Sequence, residues 1–482
     1  MAFERVLPMS RVSPLWIVIA VWAAIYLPAL GSFEIKGEEG RRILPAITML
    51  ESGNYLVPQV GGDAYFRKPP LINWLVAGSF KIFGKQNEWT ARVPSVLCIL
   101  VVAIAFVTIA RRTLGVRGSM LAALVWLTNP GTVFKGRLIE IEALYISLCA
   151  LAMICWFSWW QEKRSPWLTW LVPWIFLGLG WLAKGPTHLL FFYALVLAVL
   201  WQTRQWRSLF HPAHFLGVFI MFGIFAAWAV PLMQASDSGK VMNKWSGQLA
   251  GRVTGEFFHW YVWVTALPRA LCYFLPWLLL APLIRFNRLR DESDRKLARA
   301  LAWSVVIPLA LMSLVPGAAP RYSLPLLLPF CWLMGMALDQ DAFAPPPWMQ
   351  RLGRPLWARV GVGFVVLALL TGLIYFPVSS VFYKSRHKIK NVADQINAVV
   401  PQTETLYAVA PKYQPFFFYM HAPVKYLNTL SELPLETRYF LVKPDNEQEA
   451  AALQQWAPRQ TRSILRVKDY RKQTVVVFAV DP

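Results

Sequence analysis

Two adjacent carboxylates, Glu38 and Glu39, stand a few residues past the first long apolar run, and Arg41 and Arg42 follow in FEIKGEEGRRILPAITMLESGNYLVP. A carboxylate held at the edge of a low-dielectric region suits general-base work, removing a proton from an attacking hydroxyl or phosphate. The same spacing also suits a helix start. Acidic residues favour the first turn, and Glu38 has Arg41 and Arg42 at i+3 and i+4. Both roles fit this stretch, and the cations that surround it elsewhere in the chain favour chemistry.

Those cations recur in a set pattern. Tyr65-Phe66-Arg67-Lys68-Pro69-Pro70 places a fork of donors beside a point charge, fixed by prolines, which suits a phosphate. Head-group anchoring by snorkelling side chains is the plainer role for that pair. In KGRLIEIEALY, Arg137, Glu140 and Glu142 lie at the start of an apolar run, where a carboxylate is costly unless paired or functional. Glu140 and Glu142 are two apart and so do not share a helix face, which directs one of them toward a cavity; an ion pair to Lys135 or Arg137 is the plainer role. Lys184-Gly185-Pro186 ends another run, where a lysine can also simply answer a helix dipole. Arg252 in GRVTGEFFHWY and Arg321-Tyr322 in PGAAPRYSLP complete the group.

The elements that position these residues are membrane helices. Hydrophobic residues make up 56% of the 482. Runs near 14–32, 93–110, 119–134, 143–160, 167–183, 187–202, 214–234, 262–284, 298–315, 322–339 and 360–378 approach the length that spans a bilayer, about 20 residues. Inside hydrocarbon such runs must be helical, and the predicted class is a polytopic all-α membrane protein of about 11–13 spans. Lys and Arg collect in the short loops on one side, which places that side in the cytoplasm. The loop 33–92, the loop near 235–261 and the tail then lie outside. Much of the charge behind the net +22 lies in the short loops between apolar runs, and no zinc-finger spacing or base-reading basic helix points to nucleic acid. Membrane lipids and phosphates are the implied contacts. All five cysteines fall in apolar segments, so no disulfide framework is expected.

Within 33–92, residues 38–51 have the spacing of a short amphipathic helix stopped at Gly53. Gly61-Gly62 marks a turn, and PPLINWLVAGSFKIFG reads as an interfacial helix. The predicted division is 1–379, a membrane domain including that loop, and 380–482, a small α/β domain. In the latter TLYAVA, TRYFLVK and QTVVVFAV read as strands, VADQINAVV and NEQEAAALQQWA as helices.

The ordered set of acidic pair, Tyr-Phe-x-Lys-Pro, a carboxylate opening the fourth span, Lys-Gly-Pro and Pro-Arg-Tyr-x-x-Pro resembles the bacterial lipid-linked-sugar glycosyltransferases. These are related to aminoarabinose transferase and the protein O-mannosyltransferases and share the C-type membrane fold. The resemblance covers about 1–340. It implies a polyprenyl-phosphate-linked sugar donor and a lipid, glycan or protein acceptor outside the cytoplasm, lipid A and lipopolysaccharide included. The enzyme would sit in a bacterial inner membrane, with active site and C-terminus facing the periplasm. It further implies Glu38 as the base with Glu39 as its acidic partner, and Lys68, Arg252 and Arg321 on the donor phosphate. Arg41, Tyr65, Arg67, Glu140, Glu142, Lys184 and Tyr322 would line the substrate cavity. Two positions depart from the family: the base is Glu where Asp is usual, and Arg67 stands where the aminoarabinose branch has a Glu associated with a metal. No cofactor is required by these motifs; a divalent metal stays open, with Glu142 its candidate ligand. The competing function is a lipid or polysaccharide transporter without catalysis. Against it, the notable charges gather at helix ends rather than in paired, broken midplane helices.

Overall fold

Backbone amides in hydrocarbon must bond within their own segment, and all eleven apolar runs are helical over most of their length. The computed structural model describes residues 13–253, 259–315, 317–344, 356–384, 386–443, 461–468 and 473–481, with backbone only for 248–253, 356 and 358. Helices in chain order are α1 (Pro14–Tyr26), α2 (Gly40–Ser52), α3 (Leu71–Phe83), α4 (Glu88–Thr108), α5 (Arg111–Thr128) and α6 (Pro130–Gly136). There follow α7 (Ile141–Gln161), α8 (Pro166–Ala183), α9 (His188–Thr203), α10 (Pro212–Ala235), α11 (Ser238–Val253) and α12 (Trp260–Leu271). The last five are α13 (Glu292–Leu314), α14 (Leu327–Asp339), α15 (Leu356–Leu370), α16 (Phe376–Lys384) and α17 (Ile389–Val399).

Among the described residues seven helical segments are long and apolar enough to cross a membrane, or eight if the bent pair Trp260–Phe274 and Trp277–Leu283 is one span. The other expected spans fall short for local reasons. α1 stops at Tyr26, and α9 has 16 residues. α5 carries Arg111, Arg112 and Arg117 in its first turns. The run near 262–284 is not straight: it turns by 94° where Pro276 interrupts the helix.

The contacts divide the chain into two compact units. The first comprises Met1–Pro28, Arg67–Leu71 and Val93–Pro377. In it α7 packs on α8, α8 on α10, α5 on α14 and α9 on α13. α7 is apolar all round and buried nearly end to end, as such a helix must be.

The second unit comprises Ala29–Phe66, Ile72–Arg92 and Val378–Pro482. Its core is a five-stranded sheet in the order β4-β3-β5-β7-β6, with strands β3 (Leu406–Val409), β4 (Val424–Leu427), β5 (Tyr439–Val442), β6 (Thr461–Lys468) and β7 (Thr474–Val480). The β3 pairings are parallel and the β7 pairings antiparallel. Alternation puts Leu406, Ala408, Leu441, Val475 and Val477 on one face and Tyr407, Val409, Phe440, Val476 and Phe478 on the other. On the first face α17 lays Ile389, Val392, Ala393 and Ile396, an i, i+3, i+4, i+7 stripe. Leu44 of α2 enters the same core, so the first loop and the tail share one hydrophobic centre.

The three expected strands are β3, β5 and β7, and VADQINAVV is α17. NEQEAAALQQWA lies outside the described residues. β4 and β6 were not anticipated; both are edge strands, and β6 carries Arg462, Arg466 and Lys468, charges that blunt an edge. In the first loop α2 ends on Gly53 in the left-handed region, as expected. A hairpin of β1 (Gln59–Val60) and β2 (Asp63–Ala64) turns through Gly61 and Gly62, at φ +62° and +86°. Two successive positive φ values are what a tight two-residue hairpin demands, and glycine supplies them without steric strain.

Candidate active site

In the first unit the site grows from one carboxylate. Glu140 sits outside the helix in extended conformation, so α7 begins behind it and Glu142 falls in the first turn. Helix N-termini favour anions there. Its Oε1 receives Lys184 Nζ at 3.3 Å and Arg321 Nε at 3.1 Å. Lys184 is the residue at which α8 ends, and Arg321 lies in the 3₁₀ turn Pro320–Leu326. The Lys184 ammonium also lies 4.9 Å from the Tyr145 ring centre and 5.0 Å from that of Tyr322, within cation–π range. Tyr145 and Thr187 share a hydroxyl–hydroxyl hydrogen bond of 2.7 Å, which ties the aromatic wall to the turn after α8.

A cavity of 430 Å³ opens on this cluster, with Arg67, Lys68, Tyr145, Trp181, Lys184 and Tyr322 in its lining. Three of its lining side chains are cations and none is a carboxylate. Its chemistry is that of an anion site with an apolar, aromatic wall. Glu140 is paired to Lys135 at 2.6 Å, the plainer role for a carboxylate here.

In the second unit the acidic pair divides its labour. Glu39 stands immediately before α2, makes no side-chain capping bond to it and is only 2% exposed. Both its oxygens receive the Arg92 guanidinium, Nε and Nη2 each at 2.9 Å. Arg92 Nη1 donates in turn to the carbonyls of Leu30 and Phe33 at 2.8 and 3.0 Å, so the buried pair is embedded in further bonds. The Glu38 side chain is 47% exposed, with Arg41 at 3.8 Å and Arg42 at 3.5 Å, the i+3 and i+4 partners expected. Arg42 also donates to the Tyr65 hydroxyl at 3.3 Å.

The predicted residues therefore fall into two groups. Glu38, Glu39, Arg41, Arg42 and Tyr65 belong to the second unit; Arg67, Lys68, Glu140, Glu142, Lys184, Arg321 and Tyr322 belong to the first. Arg252 lies on α11, and its side chain is outside the described residues. Among the described residues no three His, Cys, Asp or Glu side chains come together as a metal site would need, and the Glu142 carboxylate is directed at two cations. Among the described residues, the donors around Glu142 are those of an ion pair and do not fit a divalent ion. Arg92, Tyr145, Trp181 and Thr187 were missed. Arg92 left a signal: it is a lone cation in EWTARVPSV, at the mouth of an apolar run.

The family described as dolichyl-phosphate-mannose-protein mannosyltransferase matches residues 67–230. An undecaprenyl phosphate-alpha-4-amino-4-deoxy-L-arabinose arabinosyl transferase of Pseudomonas savastanoi pv. phaseolicola is 27% identical over 381 residues, 77% of this chain and 68% of that protein. One from Pseudomonas fluorescens is also 27% identical, over 60% of this chain and 53% of its own length. The chain thus spans between about half and two thirds of these two relatives. The crystal structure of ArnT from Cupriavidus metallidurans bound to undecaprenyl phosphate superposes with a TM-score of 0.72 at 17% identity, covering 96% of this chain and 97% of that one. This chain has the ArnT fold. The apo form of the same ArnT agrees, with a TM-score of 0.70. An ArnT-like fold accounts for both the multi-span helical body and the small C-terminal sheet.

Proposed function

We propose that this protein is an inverting membrane glycosyltransferase that moves a sugar from an undecaprenyl-phosphate donor to an acceptor outside the cytoplasm. The observation that carries this is the cation-lined, aromatic-walled cavity of Arg67, Lys68, Lys184 and Tyr322 in a chain of ArnT fold. Relatives named for undecaprenyl phosphate-linked aminoarabinose supply the lipid carrier. The short loops rich in Lys and Arg face the cytoplasm, and the acidic loop and tail face the periplasm of an inner-membrane enzyme. The acceptor is an envelope lipid such as lipid A, another glycan, or a protein.

The chemistry is a single displacement. Glu38 takes the proton of the acceptor hydroxyl or phosphate as that oxygen bonds to the anomeric carbon. The bond from that carbon to the phosphate oxygen breaks, and its electron pair leaves on undecaprenyl phosphate. Lys68, Arg321 and Arg252 stabilise the charge that gathers there. Glu38 is chosen over Glu39 because a base must reach its substrate. Glu38 is half exposed and held only by long contacts, whereas Glu39 has both oxygens taken by Arg92. Glu142 keeps Lys184 and Arg321 in place through its Oε1. The test is Glu38→Gln, assayed for sugar transfer with undecaprenyl-phosphate-linked aminoarabinose and undecaprenyl-phosphate-linked hexoses as donors and lipid A as acceptor. General-base loss lowers kcat by about 10²–10⁴-fold. Turnover near wild type removes Glu38 from the mechanism.

A further inference from the structure

The acidic loop does not stand alone within its unit; one side chain of the tail brackets it. The turn that carries Glu38 begins at Gly37, at φ +58°, and leads into α2 at Gly40. The Tyr413 hydroxyl donates to the Gly37 carbonyl, on the N-terminal side of Glu38. On the C-terminal side the Arg41 guanidinium lies 4.8 Å from the centre of the Tyr413 ring. Between them Gly40 lets the ring approach: a Cβ there would stand 2.6 Å from the tyrosine oxygen and 3.1 Å from Pro415 Cβ. Residues on both sides of the acid are thus fixed by one phenol.

The frame around this contact is stiff. The Glu34 carboxylate accepts from the backbone N–H groups of Lys388, Ile389 and Lys390 at 3.2, 2.9 and 3.2 Å, capping the start of α17 from the first loop. Tyr419 accepts from the Ile35 amide at 2.7 Å and donates to Glu88 Oε1 at 3.1 Å. Burial first, and then the Glu88 carboxylate, push the Tyr419 hydroxyl well above its ordinary value, so it stays protonated and able to donate. Lys390 Nζ meets the same Glu88 oxygen at 2.5 Å. Glu34 and Tyr419 fasten the loop upstream, and Tyr413 sets the last step before the base.

We infer that Tyr413 is a positioning residue for Glu38, and that the C-terminal domain serves the reaction by holding the acidic turn through it. This rests on Glu38 being the base. Tyr413 touches no substrate; it sets the direction of the Glu38 side chain and of Arg41 beside it. An ångström of misplacement is enough to slow an aligned displacement by about a hundredfold, so contacts to Gly37, Gly40 and Arg41 around the base matter.

The test compares Gly40→Ala, Tyr413→Phe and Glu38→Gln in the full-length protein. Release of undecaprenyl phosphate from the donor is followed, and hydrogen exchange is measured over 36–42 and over 389–442. Gly40→Ala leaves the tail chemically intact and favours helix, yet it drives a methyl group into the phenol. It lowers kcat by about tenfold with donor KM changed less than about twofold, the signature of a contact felt in the transition state. Tyr413→Phe keeps the ring over Arg41, loses the Gly37 bond and falls between that variant and wild type. Faster exchange in both is confined to 36–42. Wild-type kcat in both, with Glu38→Gln inactive, overturns the inference and leaves the base standing. Lost kcat with exchange rising equally through 389–442 also overturns it, because the role is then bulk stability. Turnover by Glu38→Gln instead refutes the base, and the positioning role falls with it.

Discussion

The carboxylates of Glu39 and Glu142 are both hidden from solvent, at 2% and 7% exposure, yet their counter-charges are arranged in unlike ways. Arg92 forks both oxygens of Glu39 and uses another nitrogen on two backbone carbonyls, binding acid, cation and turn into a single knot. Glu142 shares Oε1 between two cations from different elements. One of these, Lys184, lines the cavity, and the other, Arg321, has a side chain 44% exposed. A buried charge given one planar partner fixes backbone. A buried charge given two cations that face open space fixes the cations, and leaves their outer sides for an anion.

That contrast breaks most severely at Arg92. Arg92→Met leaves Glu39 buried without its guanidinium, and removing one partner of a buried pair costs about 3–5 kcal/mol. The loss appears in thermal unfolding of the detergent-solubilised protein and in a lowered yield of folded material. Adding Glu39→Leu to Arg92→Met removes the stranded charge and recovers much of that stability. A double variant no better than the single one would mean that the bonds to the Leu30 and Phe33 carbonyls, rather than the ion pair, hold the turn.

The Glu142 centre responds in a different quantity. Glu142→Gln keeps shape and hydrogen-bonding atoms but frees Lys184 and Arg321 from their common oxygen. Because both cations reach the cavity or solvent, the stability change is smaller, about 1–3 kcal/mol. Sugar transfer is expected to fall by about tenfold, because Arg321, proposed above for the leaving phosphate, loses its place. Equal losses of stability at Glu39 and Glu142, with activity untouched in the second, would erase the distinction between the two centres.

How far each centre could be read in advance follows from distance along the chain. The i+3 and i+4 partners of Glu38, the stop at Gly53 and the turn at Gly61-Gly62 are local consequences of residue type, and all were legible. So were the eleven apolar runs and three of the five sheet strands, because burial on two faces writes a long hydrophobic word. Arg92 is 53 residues from Glu39 and Lys184 is 42 from Glu142, and nothing in either neighbourhood encodes the match. Those pairings are decided by how helices and sheet pack, after local structure is set. Tyr413 was missed for the same reason: a tyrosine in PKYQP carries no sign that its hydroxyl closes on Gly37. β4 and β6 escaped because edge strands need little apolar content and carry polar residues instead.

The smallest effect tests whether burial, rather than geometry, gives these pairs their weight. In the second unit Arg438 Nη1 lies 3.1 Å from Glu404 Oε1, the same separation as Arg321 from Glu142. The Arg438 side chain is 62% exposed, and water screens the pair. Arg438→Ala therefore changes stability by less than about 1 kcal/mol, and raising the salt concentration shrinks even that difference, since exposed pairs weaken as the Debye length shortens. Thermal unfolding at low and high salt reads this directly. A salt-independent loss as large as that of Arg92→Met would show that separation alone ranks the ion pairs here, and the contrast between the Glu39 and Glu142 centres would then need a cause other than what surrounds them.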